Sequence, residues 1–183
     1  MLYINYGENK MEKIIELALT YAHNLVGVVE DPPNSNRGDV IDQIQKMFGL
    51  QGVQYCALFA QYVYKLAFVF SPFPGTPSSQ TLYEWAEKRK YISTDFSKLQ
   101  AGDIIIWRKR KLWQGHVGLV TGVDHANEKF MTIEGNTSNT DFGSQTDGGG
   151  IYARVRNMKK ADFVVDAFWL RGFIQIRKVL ADV

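Results

Sequence analysis

Only one cysteine, Cys56, occurs among 183 residues. A single thiol cannot close an internal disulfide, nor build a thiolate zinc cluster, which takes two to four such ligands. A disulfide-stapled secreted scaffold is therefore excluded. A chain of this length buries roughly 70% of the surface its unfolded form exposes and needs no staple. Net charge is also scarce: 21 Lys and Arg against 19 Asp and Glu leave +2, too even to argue for a nucleic-acid partner. Long apolar runs are missing. The most apolar stretch, Tyr55 to Phe70, is interrupted by Gln61 and Lys65 and stopped by Ser71-Pro72, short of the ~20 residues of a membrane span. Met1 to Lys10 carries Glu8 and has no basic region followed by an apolar core, so no secretory signal peptide is expected. The protein is expected to be made in the cytoplasm and to stay there unless another system exports it.

What is present is a globular composition, 45% hydrophobic and 13% aromatic, which argues against disorder. The length favours one domain over 1–183. The first half reads helical. Met11 to Asn24 spaces Ile14, Ile15, Leu17, Ala18 and Tyr21 along one helix face. A loop rich in turn formers, Glu30 to Gly38, follows, with Asn36 expected to cap a second helix carrying Val40, Ile41, Ile44, Met47 and Phe48. A third helix, from about Gln54 to Phe68, is apolar on nearly every side, with Gln61 and Lys65 on one narrow polar face. Such a helix is a buried one. Ser71 to Pro77 holds three prolines and a glycine and must be loop; Ser78 or Ser79 then caps a fourth helix.

From Tyr91 the texture changes to strands: Asp103 to Trp107, His116 to Val123, Lys129 to Glu134, Gly150 to Arg156 and Leu170 to Ile176. Their spacing suggests an antiparallel meander. Helices first and strands after point to an α+β domain with the N-terminal helices packed on one side of a C-terminal antiparallel β-sheet.

Three residue types in this order can do nucleophilic chemistry. A helix N-terminus offers partial positive charge and free N–H groups to an anion, and Cys56 falls in the first turn of the central helix. A neighbouring imidazole activates a thiol, and needs a third group on its other nitrogen to fix its tautomer. His116 opens the strand His116-Val117-Gly118-Leu119-Val120. Glu134 and Asn136 end the next strand; if the two strands pair, either side chain can orient the imidazole. Each residue also has a bland reading: Cys56 as a small core hydrophobe, His116 as a strand-end histidine, Glu134 and Asn136 as turn formers. His125 lies in the turn Asp124 to Asn127 and His23 at the end of the first helix, where solvated and helix-terminal roles suffice. The run Arg108 to Lys111 reads as a solvated basic loop, or as a contact for an acidic surface. Trp107 and Trp113 flank it and can wall a cleft. Gly148-Gly149-Gly150 reads as a flexible turn.

The thiol-histidine-acid order resembles the papain-like peptidoglycan amidases and peptidases of the CHAP family, which are NlpC/P60-like. The matching stretches are Gly52-Val53-Gln54-Tyr55-Cys56-Ala57-Leu58-Phe59-Ala60, Leu99 to Trp107, Gly115-His116-Val117-Gly118-Leu119-Val120 and Ile133-Glu134-Gly135-Asn136-Thr137-Ser138. The likeness covers about residues 17–156. It implies a papain-like fold, Cys56 as nucleophile, His116 as general base, Glu134 as third member and Asn136 as a fourth polar group. The implied substrate is the amide or peptide part of bacterial peptidoglycan, cut as by an N-acetylmuramoyl-L-alanine amidase or a stem-peptide endopeptidase. The Cys56 backbone N–H and a side chain just upstream, Gln54 or Tyr55, would hold the oxyanion, with Trp113 beside the substrate. Some relatives bind calcium through aspartates before the cysteine; Gln51 to Tyr55 has no carboxylate, so no metal and no cofactor are expected. A phage lysin and a delivered antibacterial effector, the second with an immunity protein, both suit a chain without a signal peptide. A catalytically inert CHAP-like binding module and an acyltransferase on the same thiol are the alternatives.

Overall fold

The computed structural model describes residues 6–109, 112–140, 144, 147–158 and 168–183. Four helices come first: α1 (Tyr6–Asn24), α2 (Asp39–Lys46), α3 (Cys56–Ala67) and α4 (Ser79–Lys88). Then follow β1 (Ile92–Ser93), a 3₁₀ turn (Phe96–Lys98), β2 (Ile104–Lys109), β3 (Gly115–Asp124), β4 (Lys129–Thr137), β5 (Gly150–Asn157), β6 (Phe168–Ile174) and α5 (Ile176–Ala181). All strand pairs are antiparallel, in the order β1-β6-β2-β3-β4-β5. This is the expected α+β arrangement of helices on an antiparallel sheet. The meander holds from β2 to β5. The last strand does not extend it; β6 returns to pair with β2, opposite Ile104 to Lys109.

Period-two alternation gives the sheet two buried faces. Ile104, Ile106, Val117, Leu119, Ile133 and Ile174 join the helices in the main core. Ile105, Trp107, Val120, Phe130 and Phe173 form a second cluster with Leu99 and Phe168. Helix α3 lies at the centre of the main core, with every residue from Cys56 to Tyr64 buried. Full burial of a side chain such as Leu58 or Phe59 contributes about 1.5–3 kcal/mol, so the helix that carries Cys56 is firmly seated.

Several local readings change. Helix α2 starts after Gly38, not at an Asn36 cap; Asn36 takes φ 54° and gives its backbone N–H to Glu30 Oε2 at 3.1 Å. Ser78 does cap α4, accepting the Thr81 N–H at 3.2 Å. Gln61 does not mark a polar face. It is fully buried and clamps the proline loop to α3: its amide nitrogen donates to Ala57 O (2.8 Å) and Thr76 O (2.7 Å), and its oxygen accepts from Gly75 N (2.9 Å). Ile176, read as the end of a strand, begins α5. Its N–H reaches Asp103 Oδ1 at 3.0 Å, and the other oxygen accepts from Gln100 N at 2.9 Å. Burial pushes the Asp103 carboxyl up to about 6, against the lowering effect of these two N–H groups. Gly149 and Gly150 are paired: Gly149 O accepts the Glu30 N–H at 2.8 Å, and Gly150 bridges Val29.

Candidate active site

Cys56 is the first residue of α3 and 3% exposed. The Tyr55 side chain at the N-cap makes no cap hydrogen bond, and the first turn holds no acidic residue. The N–H groups of a first helical turn have no intrahelical partners, so they stay available to an anion beside the thiol. Gly135 brings this end of the helix onto β4. A Cβ there would lie 2.9 Å from Phe59 Cβ and 3.1 Å from Tyr55 Cδ2; only a residue without one permits the approach.

His116 is fully buried near the start of β3, opposite Trp107 in the β2 ladder, with the two ring centroids 5.7 Å apart. Its Nε2 lies 2.9 Å from Glu134 Oε2 on the neighbouring strand. A carboxylate accepts, so this nitrogen is the N–H donor. The other partner of the imidazole is the Cys56 side chain, which leaves Nδ1 for the thiol. Burial lowers the imidazole's proton affinity, but hydrogen bonds to Cys56 and Glu134 and the charges of both groups outweigh it, and the group is pushed up to about 9. The line Cys56–His116–Glu134 therefore favours a protonated imidazole between two acceptors.

Glu134 is itself fully buried and its two oxygens carry four hydrogen bonds. Oε1 accepts from Thr132 Oγ1 (2.6 Å) and Arg156 Nε (2.8 Å); Oε2 accepts from His116 Nε2 and Arg156 Nη2 (2.5 Å). Burial pushes this carboxyl up, yet Arg156, by charge and hydrogen bond, and then His116 hold it well below the usual carboxylate range. Arg156 was not singled out in the sequence. Alternation with Ile151, Ala153 and Val155 puts it on the polar side of its strand, with no local sign of burial.

Asn136 is fully buried and does not join this line. With its amide nitrogen turned toward its acceptors, it donates to Gly148 O (2.9 Å), Glu30 Oε1 (3.2 Å) and Asn36 Oδ1 (3.3 Å). It thus ties the Glu30–Gly38 loop to β4. Gln45 continues the tie, donating to Asn36 O (2.6 Å) and Val53 O (3.2 Å) and accepting from Val53 N (3.2 Å), and so fixes the chain that enters α3. Tyr55 does not line the cleft. It is fully buried, and its hydroxyl faces Glu30 and the Asn136 backbone. Burial, then the Glu30 charge, push that hydroxyl up and keep it neutral.

A small cleft opens at the thiol, lined by Gln54, Cys56, Pro77, Ser78, Ser79, Trp113 and Gly115. Gln54 and Trp113 both line this cleft, and Trp113 is 72% exposed. Trp107 does not line this cleft and is fully buried against His116 and Phe130. Of the basic run, Arg108 Nε donates to Leu112 O at 2.8 Å, while Arg110 and Lys111 lie outside the described residues. Among the described residues no group of three or more His, Cys, Asp or Glu side chains could hold a metal, and no helix is long and apolar enough to cross a membrane.

Comparison with curated proteins finds no match. Among solved structures the chain is similar to a wild-type endolysin, LysIME-EF1, with 22% identity and a TM-score of 0.49 over 87% of this chain and 62% of that one; it spans less than two thirds of that protein. The CHAP domain family model matches residues 48–136, a segment that holds Cys56, His116, Glu134 and Asn136. Over that segment the chain is similar to CHAP domains.

Proposed function

We propose that this protein is a peptidoglycan hydrolase that cleaves an amide or peptide bond through the Cys56 thiolate, as an N-acetylmuramoyl-L-alanine amidase or a stem-peptide endopeptidase. The observation that carries the reading is the buried line from a helix-start thiol through His116 to Glu134, at the mouth of a cleft inside a CHAP domain. His116 Nδ1 takes the thiol proton, and Sγ attacks the scissile carbonyl carbon. The carbonyl oxygen becomes an oxyanion held by the Cys56 backbone N–H, with the Gln54 side chain as second donor. The imidazolium then protonates the leaving amine as the C–N bond breaks, leaving an acyl-thioester on Cys56. Water attacks that carbonyl, gives a proton to His116, and releases a carboxylate and the thiol. Glu134 holds the imidazole in one tautomer throughout and supports its charge.

The mechanism needs no cofactor. The bacterial wall is the partner, reached after release from the cytoplasm or by delivery, and an immunity protein would accompany delivery alone. The test is clearing of a suspension of purified cell walls. Wild type is expected to clear it, and Cys56→Ala and His116→Ala each to abolish clearing; full activity in Cys56→Ala would rule out the mechanism. An acyltransferase would instead give products carrying an added amine, and an inert module would leave the walls intact.

A further inference from the structure

The carboxylate that supports His116 has a partner of its own. Arg156 lies on β5, twenty residues past the end of the matched domain segment at 136, and is 5% exposed. Its register partner is Phe130, so it rises from the same sheet face as Phe130, Thr132 and Glu134. Its guanidinium grips Glu134 through Nε on Oε1 (2.8 Å) and Nη2 on Oε2 (2.5 Å) and lies 5.8 Å from the centre of the Trp107 ring. That same Trp107 ring packs beside His116. We propose that Arg156 is a positioning residue of this site: by gripping both oxygens of Glu134 it fixes the carboxylate, charged, with Oε2 on His116 Nε2.

A buried carboxylate without a partner takes up a proton or turns toward water. Burial is the largest influence on Glu134 and favours the neutral acid; the two largest opposing influences both come from Arg156, and His116 ranks after them. A planar fork holds a carboxylate in one plane, which a lysine ammonium does not. Removing the fork therefore removes the charge that supports the imidazolium and the alignment of Oε2. The charged and titratable groups along this line come from four elements: Cys56 on α3, His116 on β3, Glu134 on β4 and Arg156 on β5.

The test is a double-mutant cycle on the full chain. Wild type, Arg156→Met, Glu134→Gln and the double variant are compared for two rates: alkylation of the only cysteine by iodoacetamide at pH 7, and turnover of purified wall fragments. Arg156→Met is expected to slow alkylation and to lower kcat about 100-fold, the scale of a misplaced catalytic group, with KM little changed. Arg156→Lys, which keeps the charge and loses the fork, should recover part of both. In the Glu134→Gln background Arg156→Met should cost nothing further, because it acts only through Glu134. Additive losses, or alkylation unchanged by Arg156→Met, overturn the proposal. If circular dichroism shows Arg156→Met unfolded, the double variant, which leaves no buried unpaired charge, decides against Glu134→Gln alone: equal rates support the role and a further loss overturns it. The turnover arm rests on the hydrolase reading, but alkylation does not. Intact walls with a non-additive alkylation cycle would refute that reading alone; lysis with an additive cycle would refute the role of Arg156 alone.

Discussion

A methyl group added at Gly118 would press on the contact that holds Glu134 in line. A Cβ at this position would lie 3.1 Å from Glu134 Cγ and 3.2 Å from both Ile105 Cγ2 and Thr132 Cγ2. None of the three can yield easily: Ile105 and Thr132 are fully buried on the two flanking strands, and Glu134 is pinned by four hydrogen bonds. Overpacking of this kind costs about 1–3 kcal/mol. The lost freedom of the unfolded glycine returns about 0.4–1 kcal/mol, so Gly118→Ala is expected to be destabilising by roughly 1–2 kcal/mol. At about 2–4 °C per kcal/mol for a chain of this size, its Tm should fall by about 2–8 °C. Gly122, four residues along the same strand, is the control. A Cβ there meets only the tip of Met131, at 2.5 Å from Cε, and that side chain is 39% exposed and can swing away. Gly122→Ala should therefore leave Tm within about 2 °C of wild type. Differential scanning fluorimetry and wall clearing give both readouts, and only Gly118→Ala should lose activity, since it moves Glu134 against His116. Equal Tm and activity in the two variants would refute the account of how the strand seats Glu134.

Other consequences follow from the same geometry. His116 is raised to about 9 in the folded protein, so its share of stability is complete below the unfolded value of about 6.5 and is lost as pH rises through 9. The loss is about 3 kcal/mol at 1.36 kcal/mol per unit; denaturant titrations between pH 6.5 and 10 should show it in wild type, and a decline just as steep in His116→Ala would contradict it. Glu134→Ala should lose less wall-clearing activity than Cys56→Ala or His116→Ala, because an orienting group is not the reacting one; an equal or greater loss would give Glu134 a larger part. Asn136→Ala removes an amide from the buried Glu30 carboxylate and should cost about 1–3 kcal/mol in urea titrations. Abolished activity at unchanged stability would instead place Asn136 in the chemistry.

The sequence showed the helices and the order of Cys56, His116 and Glu134 because both rest on local signals. The apolar run of α3 and its start at Cys56 needed only periodicity, and the β3–β4 pairing followed from the short turn Asp124 to Glu128. What it concealed were long-range polar ties. Gln61 looks like one residue of a polar stripe until the proline loop folds over it. Nothing in the sequence separates Gly118 from Gly122, since the difference lies in which neighbour each one meets. Arg156 is masked by alternation: an arginine on a strand reads as solvent-facing unless the acid across the ladder is known to be buried. The same holds for Glu30, whose acceptor role depends on Asn36 and Asn136, a hundred residues apart. The return of β6 to β2 was missed because it is set by packing on Ile105 and Trp107, not by a turn.

Cys56 is proposed to cut an amide or peptide bond in the bacterial wall. Mass spectrometry of the soluble products from purified peptidoglycan tests it most directly, with wild type and Cys56→Ala run side by side. Wild type is expected to release fragments with a new free amine and a new carboxylate at one amide or peptide position, with intact glycan linkages, and Cys56→Ala to release none. Fragments with newly cut sugar linkages, or the same products from Cys56→Ala, would contradict it.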